Sequence, residues 1–105
     1  MTLDRLPDLQ PEEGEVLDAE VAVTDDVLVK CFALGPGATL VPHAHPGATN
    51  VFHVLQGTVV VTRDETEDTV SAPGVVLNER GDVHGASNET DEVALFTASL
   101  CPLPG

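Results

Sequence analysis

Basic residues are scarce in this sequence: lysine and arginine together number four, against 18 aspartates and glutamates, and the formal net charge is −14. Without a basic stripe to meet phosphates, the chain is not expected to bind nucleic acid. So large an excess of one charge repels itself at low salt and is tolerated where molar salt shortens the Debye length to about 3 Å. The composition therefore predicts a protein of a salt-rich cytoplasm, as in a halophilic organism. The alternative is an acidic surface in an ordinary organism.

Tryptophan, tyrosine and long apolar stretches are absent, and phenylalanine occurs three times. No run of about 18 apolar residues exists to span a membrane, and the acidic, proline-containing first residues lack the apolar segment of a secretory leader. Cysteine is also rare. Cys31 and Cys101 stand in none of the paired spacings of zinc or redox motifs, so free thiols are expected. These features predict a soluble cytoplasmic protein with no membrane partner and a core of valine, leucine and alanine.

Helical periodicity is missing as well, because no 3.6-residue apolar repeat persists anywhere in the chain. Short apolar segments separated by glycine, proline and acidic turns are typical of an all-β sandwich or barrel. We expect a polar N-terminal arm at residues 1–15 and a single domain at residues 16–105. The predicted strands are residues 16–23, 27–34, 38–45, 50–55, 58–63, 69–72, 75–78, 83–87 and 92–100, with residues 64–68 as a solvated hairpin loop.

The strand predicted at residues 27–34 is apolar on both of its faces. In a small barrel one face of a strand lines the interior, so the other face of this strand needs a cover. A second copy of the chain is the simplest cover. The sequence therefore predicts a homodimer.

The histidines concentrate in two segments. His43, His45 and His53 lie within residues 37–57, and His84 follows in the segment 79–88. His43 and His45 are two residues apart, so on an extended strand they project from the same face, about 7 Å apart along the chain. By the same alternation, counted from Asn50, His53 points to the opposite face. We therefore expect His53 on the outer surface of the sheet, in packing or in a dimer contact, and the alternative is a role as a ligand.

These two segments resemble the two motifs of the cupin family. The first motif, G-x5-H-x-H-x(3,4)-E-x6-G, is matched by Gly37, His43, His45 and Gly57, with Asn50 in the place of the glutamate. The second motif, G-x5-P-x-G-x2-H-x3-N, is matched in its later half by Gly81, His84 and Asn88, with Glu79 in the place of the proline. The resemblance implies an all-β fold, the double-stranded β-helix, a small jelly-roll-like barrel.

A metal site is the first interpretation of the histidines. Neutral imidazoles suit first-row divalent ions, and ligation by His43, His45 and His84 would leave positions open for water or substrate. The cofactor would be a divalent transition metal: Fe, Mn, Ni, Cu or Zn. The alternative is a hydrogen-bonded polar cluster in a barrel without metal. Asn50 would either coordinate through its amide oxygen or hold a water molecule.

Two functions are consistent with such a site. The intact histidine trio favours a metalloenzyme, oxygenase-like, that acts on a small polar or anionic organic molecule, since three-histidine sites without the carboxylate occur in cupins, including some thiol and diketone dioxygenases. Because no protein ligand is anionic, the ion would keep its charge and attract an anion. The missing glutamate and the lack of tyrosine favour the alternative, a non-catalytic module that binds a small ligand or metal. Glu79 and Arg80 are expected on an exposed turn. The alternative is that one of them enters the mouth of the barrel and acts as a general base or a carboxylate clamp.

Overall fold

Nine β-strands form the regular structure of the computed structural model, which describes residues 6–102. They are β1 Val16–Val23, β2 Leu28–Leu34, β3 Thr39–His43, β4 Thr49–Gln56, β5 Thr58–Arg63, β6 Thr66–Ser71, β7 Gly74–Asn78, β8 His84–Ser87 and β9 Ala94–Cys101. Within residues 6–102, no helix has the length and apolar character that a membrane crossing requires.

The strands form two antiparallel sheets. One sheet has the order β1-β2-β9-β4-β7, and the other has the order β3-β8-β5-β6. Strands that are distant in the chain become neighbours, as β2 and β9 do over seven register pairs from Leu28↔Leu100 to Leu34↔Ala94. The two sheets face each other around a shared core, which confirms the predicted all-β double-stranded β-helix.

The core lies between the sheets and is organised around three phenylalanines. The Phe96 ring lies 5.3 Å from the Phe32 ring and 4.9 Å from the Phe52 ring, measured between centroids. Strict alternation along β9 buries one face of the strand, as its sequence predicts: Ala94, Phe96, Ala98 and Leu100. Valine and alanine fill most of the remaining interior.

The prediction for residues 64–68 was wrong. Asp64 and Glu65 alone form the turn, with Asp64 at a φ of 50°, and β6 already begins at Thr66. It pairs with β5 from Thr58↔Ser71 to Arg63↔Thr66, and Arg63 donates to Asp68 at 2.7 Å. Since β6 is an edge strand with both faces largely exposed, its acidic residues do not interfere with pairing, and charge on an edge discourages association through it.

The outer face of β2 is covered within the chain itself. Cys31 and Ala33 are fully buried there, so this strand does not need a second subunit for its cover, contrary to the reasoning from its sequence. The exposed apolar side chains of the same outer face lie on β4 and β7, at Leu55, Val75 and Leu77. A homodimer stays a prediction. Cys31 and Cys101 are free thiols, as expected.

The segment before β1 has no strand, and it is described from Leu6 onward. The Gly14 N–H donates to the Pro36 carbonyl at 2.8 Å, and the Gly35 N–H donates to the Glu15 carbonyl at 2.9 Å. A Cβ at Gly35 would collide with the carbonyl oxygen of Glu12. The last residues of the predicted arm therefore lie directly against the turn that joins β2 to β3.

Candidate metal centre

The pairing of β3 with β8 brings the two histidine segments together. His43 ends β3 and is the register partner of His84, the first residue of β8. His45 lies two residues beyond β3, in the connection to β4. The prediction of a strand that extends to His45 was therefore wrong. Gly85 permits the close approach of the strands, since a Cβ at this position would lie 2.8 Å from the Leu40 carbonyl oxygen. The imidazole of His84 is thereby directed at the other two.

The three imidazoles form one cluster. Ring centroids are 4.8 Å apart for His43 and His45, 4.8 Å for His43 and His84, and 5.8 Å for His45 and His84. One nitrogen from each ring can be chosen so that all three lie within 4.8 Å of one another. His84 is 1% exposed, whereas His43 and His45 are half-buried. The cluster therefore has a buried base and an accessible side.

Backbone carbonyls set the tautomers of two of these rings. The Nδ1 atom of His43 lies 3.0 Å from the Val41 oxygen, and the Nδ1 atom of His84 lies 3.0 Å from the Asp82 oxygen. A carbonyl oxygen only accepts, so both Nδ1 atoms must carry the proton. Each Nε2 atom is then unprotonated and carries its lone pair, which is the arrangement that orients histidines as metal ligands. In His84 this lone pair accepts a hydrogen bond from Asn50.

Asn50 lies against the buried base of the cluster. Its Nδ2 atom donates to Nε2 of His84 at 2.9 Å, while its Oδ1 atom is buried without a hydrogen-bond partner in the described chain. An unpaired buried oxygen costs about 1–3 kcal/mol. Such an oxygen is a suitable additional ligand for a divalent ion or an acceptor for a water molecule. The two roles predicted for Asn50 both remain consistent with this geometry.

A second buried amide, missed in the sequence, lies beside the first. Asn78 on β7 is the register partner of Asn50 on β4, is 0% exposed, and has no partner within residues 6–102 for either amide atom. Alternation along β7 places Asn78 on the same inward face as Val76. A polar residue at an inward position of an apolar strand was the signal available for it.

The residues present fit a divalent metal. Three uncharged imidazoles are ligands of the type that Zn²⁺ and its first-row neighbours prefer, and the unpaired Asn50 oxygen adds a fourth donor. Bonds of about 2.1 Å place two nitrogen ligands at most about 4.2 Å apart. The observed spread of 4.8 Å must therefore shorten slightly for the three rings to hold one ion, and Nε2 of His84 would exchange its hydrogen bond from Asn50 for the ion.

Burial changes the protonation of the cluster. Desolvation lowers the pKa of His84 below its ordinary value, and the neighbouring His43 and His45 lower it further. Desolvation, followed by the charge of His43, also lowers the pKa of His45. Both rings therefore remain neutral, and able to bind a metal, to lower pH than a free imidazole.

This lowered pKa predicts a pH dependence of stability in the metal-free protein. Between the lowered pKa of His84 and its ordinary value near 6.5, the unfolded chain binds more protons than the folded one, so the free energy of unfolding falls as the pH drops through that window. Urea unfolding at pH 7.5 and 5.5 should show a larger loss for the wild type than for His84→Gln. An equal loss of unfolding free energy in both proteins would contradict the lowered pKa of His84.

A cavity of about 230 Å³ opens beside the histidines. Its walls are mostly apolar and come from β2, β3, β4 and β9, with His43, His45 and Asn50 at one side. Lys30 also lines this cavity. This residue was not singled out from the sequence, although strand alternation places it on the same face of β2 as Phe32. The volume suits a small organic molecule in contact with the cluster.

Three other residues that were singled out in the sequence lie away from the cluster. His53 is exposed on the outer face of β4, which confirms the strand parity. Glu79 and Arg80 are exposed on the turn between β7 and β8, also as predicted. None of these three residues lines the cavity.

The structure defines a small β-barrel with a histidine cluster beside an apolar cavity, and comparison with known proteins identifies its family. The model of the cupin domain matches residues 31–100. The chain therefore belongs to the cupin family, as its two motifs suggested.

Similar proteins agree with this assignment. Auxin-binding protein ABP19b of Prunus persica is 35% identical over 78 residues, which are 69% of this chain and 37% of that protein, so the chain spans little more than a third of its relative. A protein of Thermus thermophilus shares the fold with a TM-score of 0.83 and 26% identity, over 90% of each chain. A Klebsiella pneumoniae protein with a double-stranded β-helix domain has a TM-score of 0.84 and 25% identity, over 92% of this chain and 86% of its own.

Proposed function

We propose that the protein binds one divalent transition metal through His43, His45 and His84 and acts as an oxygenase-like enzyme on a small anionic organic molecule. The observation that carries this proposal is the convergence of three imidazoles, two of which, His43 and His45, line an apolar cavity. In two of the imidazoles, backbone carbonyls hold the proton on Nδ1 and leave Nε2 unprotonated. A hydrogen-bonded cluster that served only the fold would have no need of an adjoining cavity.

A divalent transition metal would supply Lewis acidity and, for a redox-active ion, single-electron chemistry. The chain's own residues supply the surroundings. The carbonyls of Val41 and Asp82 hold two rings in orientation, and the Phe52 ring, 5.5 Å from the His84 ring, covers its buried side. Apolar walls exclude water from a ligand, which strengthens its electrostatic interactions within the cavity.

A second candidate function is a non-catalytic module that binds a small ligand at the same place. The observation that favours it is the set of groups at the cavity: among the described residues that line it there is no carboxylate and no tyrosine to act as general acid or base. The name of the Prunus persica relative also describes a binding protein. Both candidates use the same metal ligands.

The experiment that separates them is oxygen uptake by iron-loaded protein with a panel of small carboxylates, thiols and diketones. An enzyme consumes oxygen with at least one compound and loses this activity in His84→Ala. A binding module shows a change in melting temperature with a ligand of the panel but no oxygen uptake. Protein that stays metal-free after incubation with iron, manganese, nickel, copper and zinc would refute the metal site and with it the enzyme.

Asn50 provides a further prediction, because it occupies the place of the family's glutamate. Asn50→Glu should tighten zinc binding at least about tenfold, since a carboxylate offsets the charge of the ion and fills a coordination position. The same change should weaken the binding of azide, a small anion, to the cobalt-loaded protein. Competition titration and cobalt absorption spectra measure the two effects.

The matched control for this change is Asn50→Gln, which keeps the amide and adds no charge. Asn50→Gln should not tighten zinc binding, and it should weaken azide binding less than Asn50→Glu does. Weaker zinc binding in Asn50→Glu than in Asn50→Gln would show that Asn50 does not face the ion.

A further inference from the structure

We propose that Lys30 anchors the carboxylate of the ligand, so that the cavity takes a small carboxylic acid whose apolar body lies against Phe32 and Phe52. This inference deepens the proposed function and rests on it for the position of the metal. It concerns a residue outside the histidine cluster.

The alternation of β2 places Lys30 at the cavity. Leu28, Lys30 and Phe32 share the inward face of the strand, and all three line the same cavity as His43 and His45. The ammonium of Lys30 lies 5.3 Å from the centre of the Phe32 ring, and this cation–π contact favours its position beside the cavity. Lysine is unusual at an inward strand position, because its charge is rarely buried. Here the apolar stem can be buried while the ammonium is directed toward the cavity opening.

The charge of Lys30 stands out in this protein. It is the one lysine among 105 residues, and among the described residues that line the cavity it alone carries a full charge. With a formal net charge of −14, the rest of the molecule repels anions. An anionic ligand therefore needs a local positive group in addition to a metal ion, and Lys30 is the residue that provides it.

The ammonium also has donors to spare. Of its three N–H groups, one is directed to Oδ2 of Asp18 on β1 at 2.9 Å. The side chains of Lys30 and Asp18 are 31% and 49% exposed, and ion pairs at such exposure are weak. A ligand carboxylate can thus accept from the two remaining N–H groups while Asp18 stays bound, or it can replace Asp18 as the partner of the ammonium. Asp18 holds the ammonium at the cavity when no ligand is bound.

The test compares two probes of nearly equal shape, phenylacetate and its neutral amide, phenylacetamide. Calorimetric titrations use the zinc-loaded wild type and the variant Lys30→Met, which keeps the length of the apolar stem. We expect phenylacetate to bind the wild type, Lys30→Met to weaken that binding at least tenfold, and phenylacetamide to change by less than about twofold. Lys30→Arg should retain most of the phenylacetate affinity, and Asp18→Asn should increase it.

Several outcomes would overturn the proposal. They are no binding of phenylacetate by the wild type, equal weakening of both probes in Lys30→Met, and unchanged phenylacetate binding in that variant. Melting curves show whether each variant is folded, and a variant that fails to fold is replaced by Lys30→Gln with the same expectations.

The metal is examined separately, by zinc titration of the wild type and Lys30→Met, which should agree within about threefold. If zinc fails to bind either protein, the proposed metal function is wrong. Lys30 is then tested in the zinc-free protein with the same two probes. A carboxylate preference that depends on Lys30 would support the anchor without the metal, and its absence would refute the anchor.

Discussion

Replacing His84 by alanine should lower the affinity for zinc at least about 100-fold. The change removes one of three imidazoles whose nitrogens lie within 4.8 Å of one another, and loss even of a group that merely supports a ligand typically costs 10–100-fold in metal affinity. His84 is also the buried member of the cluster, with its orientation set by the Asp82 carbonyl. Within residues 6–102 the remaining histidine, His53, is exposed on the outer face of β4 and cannot replace it. Competition titration with a chromophoric chelator measures the affinity.

His53→Ala is the control for this prediction. His53 is a histidine of the same chain on the outer face of β4, away from the cavity, and its removal should change zinc affinity by less than about twofold. Equal losses in both variants would mean that zinc binds by a different set of residues. Zinc affinity unchanged in His84→Ala would leave the hydrogen-bonded polar cluster as the better account of the site.

Replacing Phe96 by alanine should produce the largest loss of stability among single core changes. Phe96 is 0% exposed and its ring packs on those of Phe32 and Phe52. Removing a buried phenylalanine ring typically costs about 3–5 kcal/mol, through lost burial and the cavity that remains. For a domain of this size, each 1 kcal/mol lowers the melting temperature by roughly 4–8 °C. Urea denaturation in buffer of fixed ionic strength measures the free energy of unfolding.

Leu77→Ala is the matched comparison for Phe96→Ala. Leu77 is 51% exposed on the outer face of the same sheet, so its truncation should change the free energy of unfolding by less than about 1 kcal/mol. Similar losses in the two variants would contradict the arrangement of the core. Since Phe52 contacts both Phe96 and His84, Phe96→Ala should also weaken zinc binding, though less than His84→Ala.

The direction of side chains along each strand could be predicted from the sequence, because it depends on the local period of two. Alternation placed Phe96 and its companions on the inward face of β9 and His53 on the outward face of β4, and the structure confirms both. The same rule applied to β7 would have revealed Asn78. These residues needed no knowledge of the strands beside them.

Pairing between strands could not be read in the same way. Residues 66–68 are polar enough for a loop, yet they form part of β6 because β5 offers them a continuous register of partners and an edge strand requires no apolar face. For β2, the apolar pattern suggested a surface to be covered by a second chain. The burial of Cys31 and Ala33 depends on what packs around them, which the pattern of one strand does not contain.

The sequence by itself determined the all-β character, the family motifs and the identity of the three candidate ligands, since composition, turn residues and histidine spacing are local properties of the chain. Tertiary structure alone decided that His84 is the partner of His43 across β3 and β8 and that Asn78 lies beside Asn50. It also decided that Lys30 lines one cavity together with His43 and Asn50. Each of these contacts joins distant segments. Their register follows from how two whole sheets bury their apolar faces together, and that is a property of the complete fold.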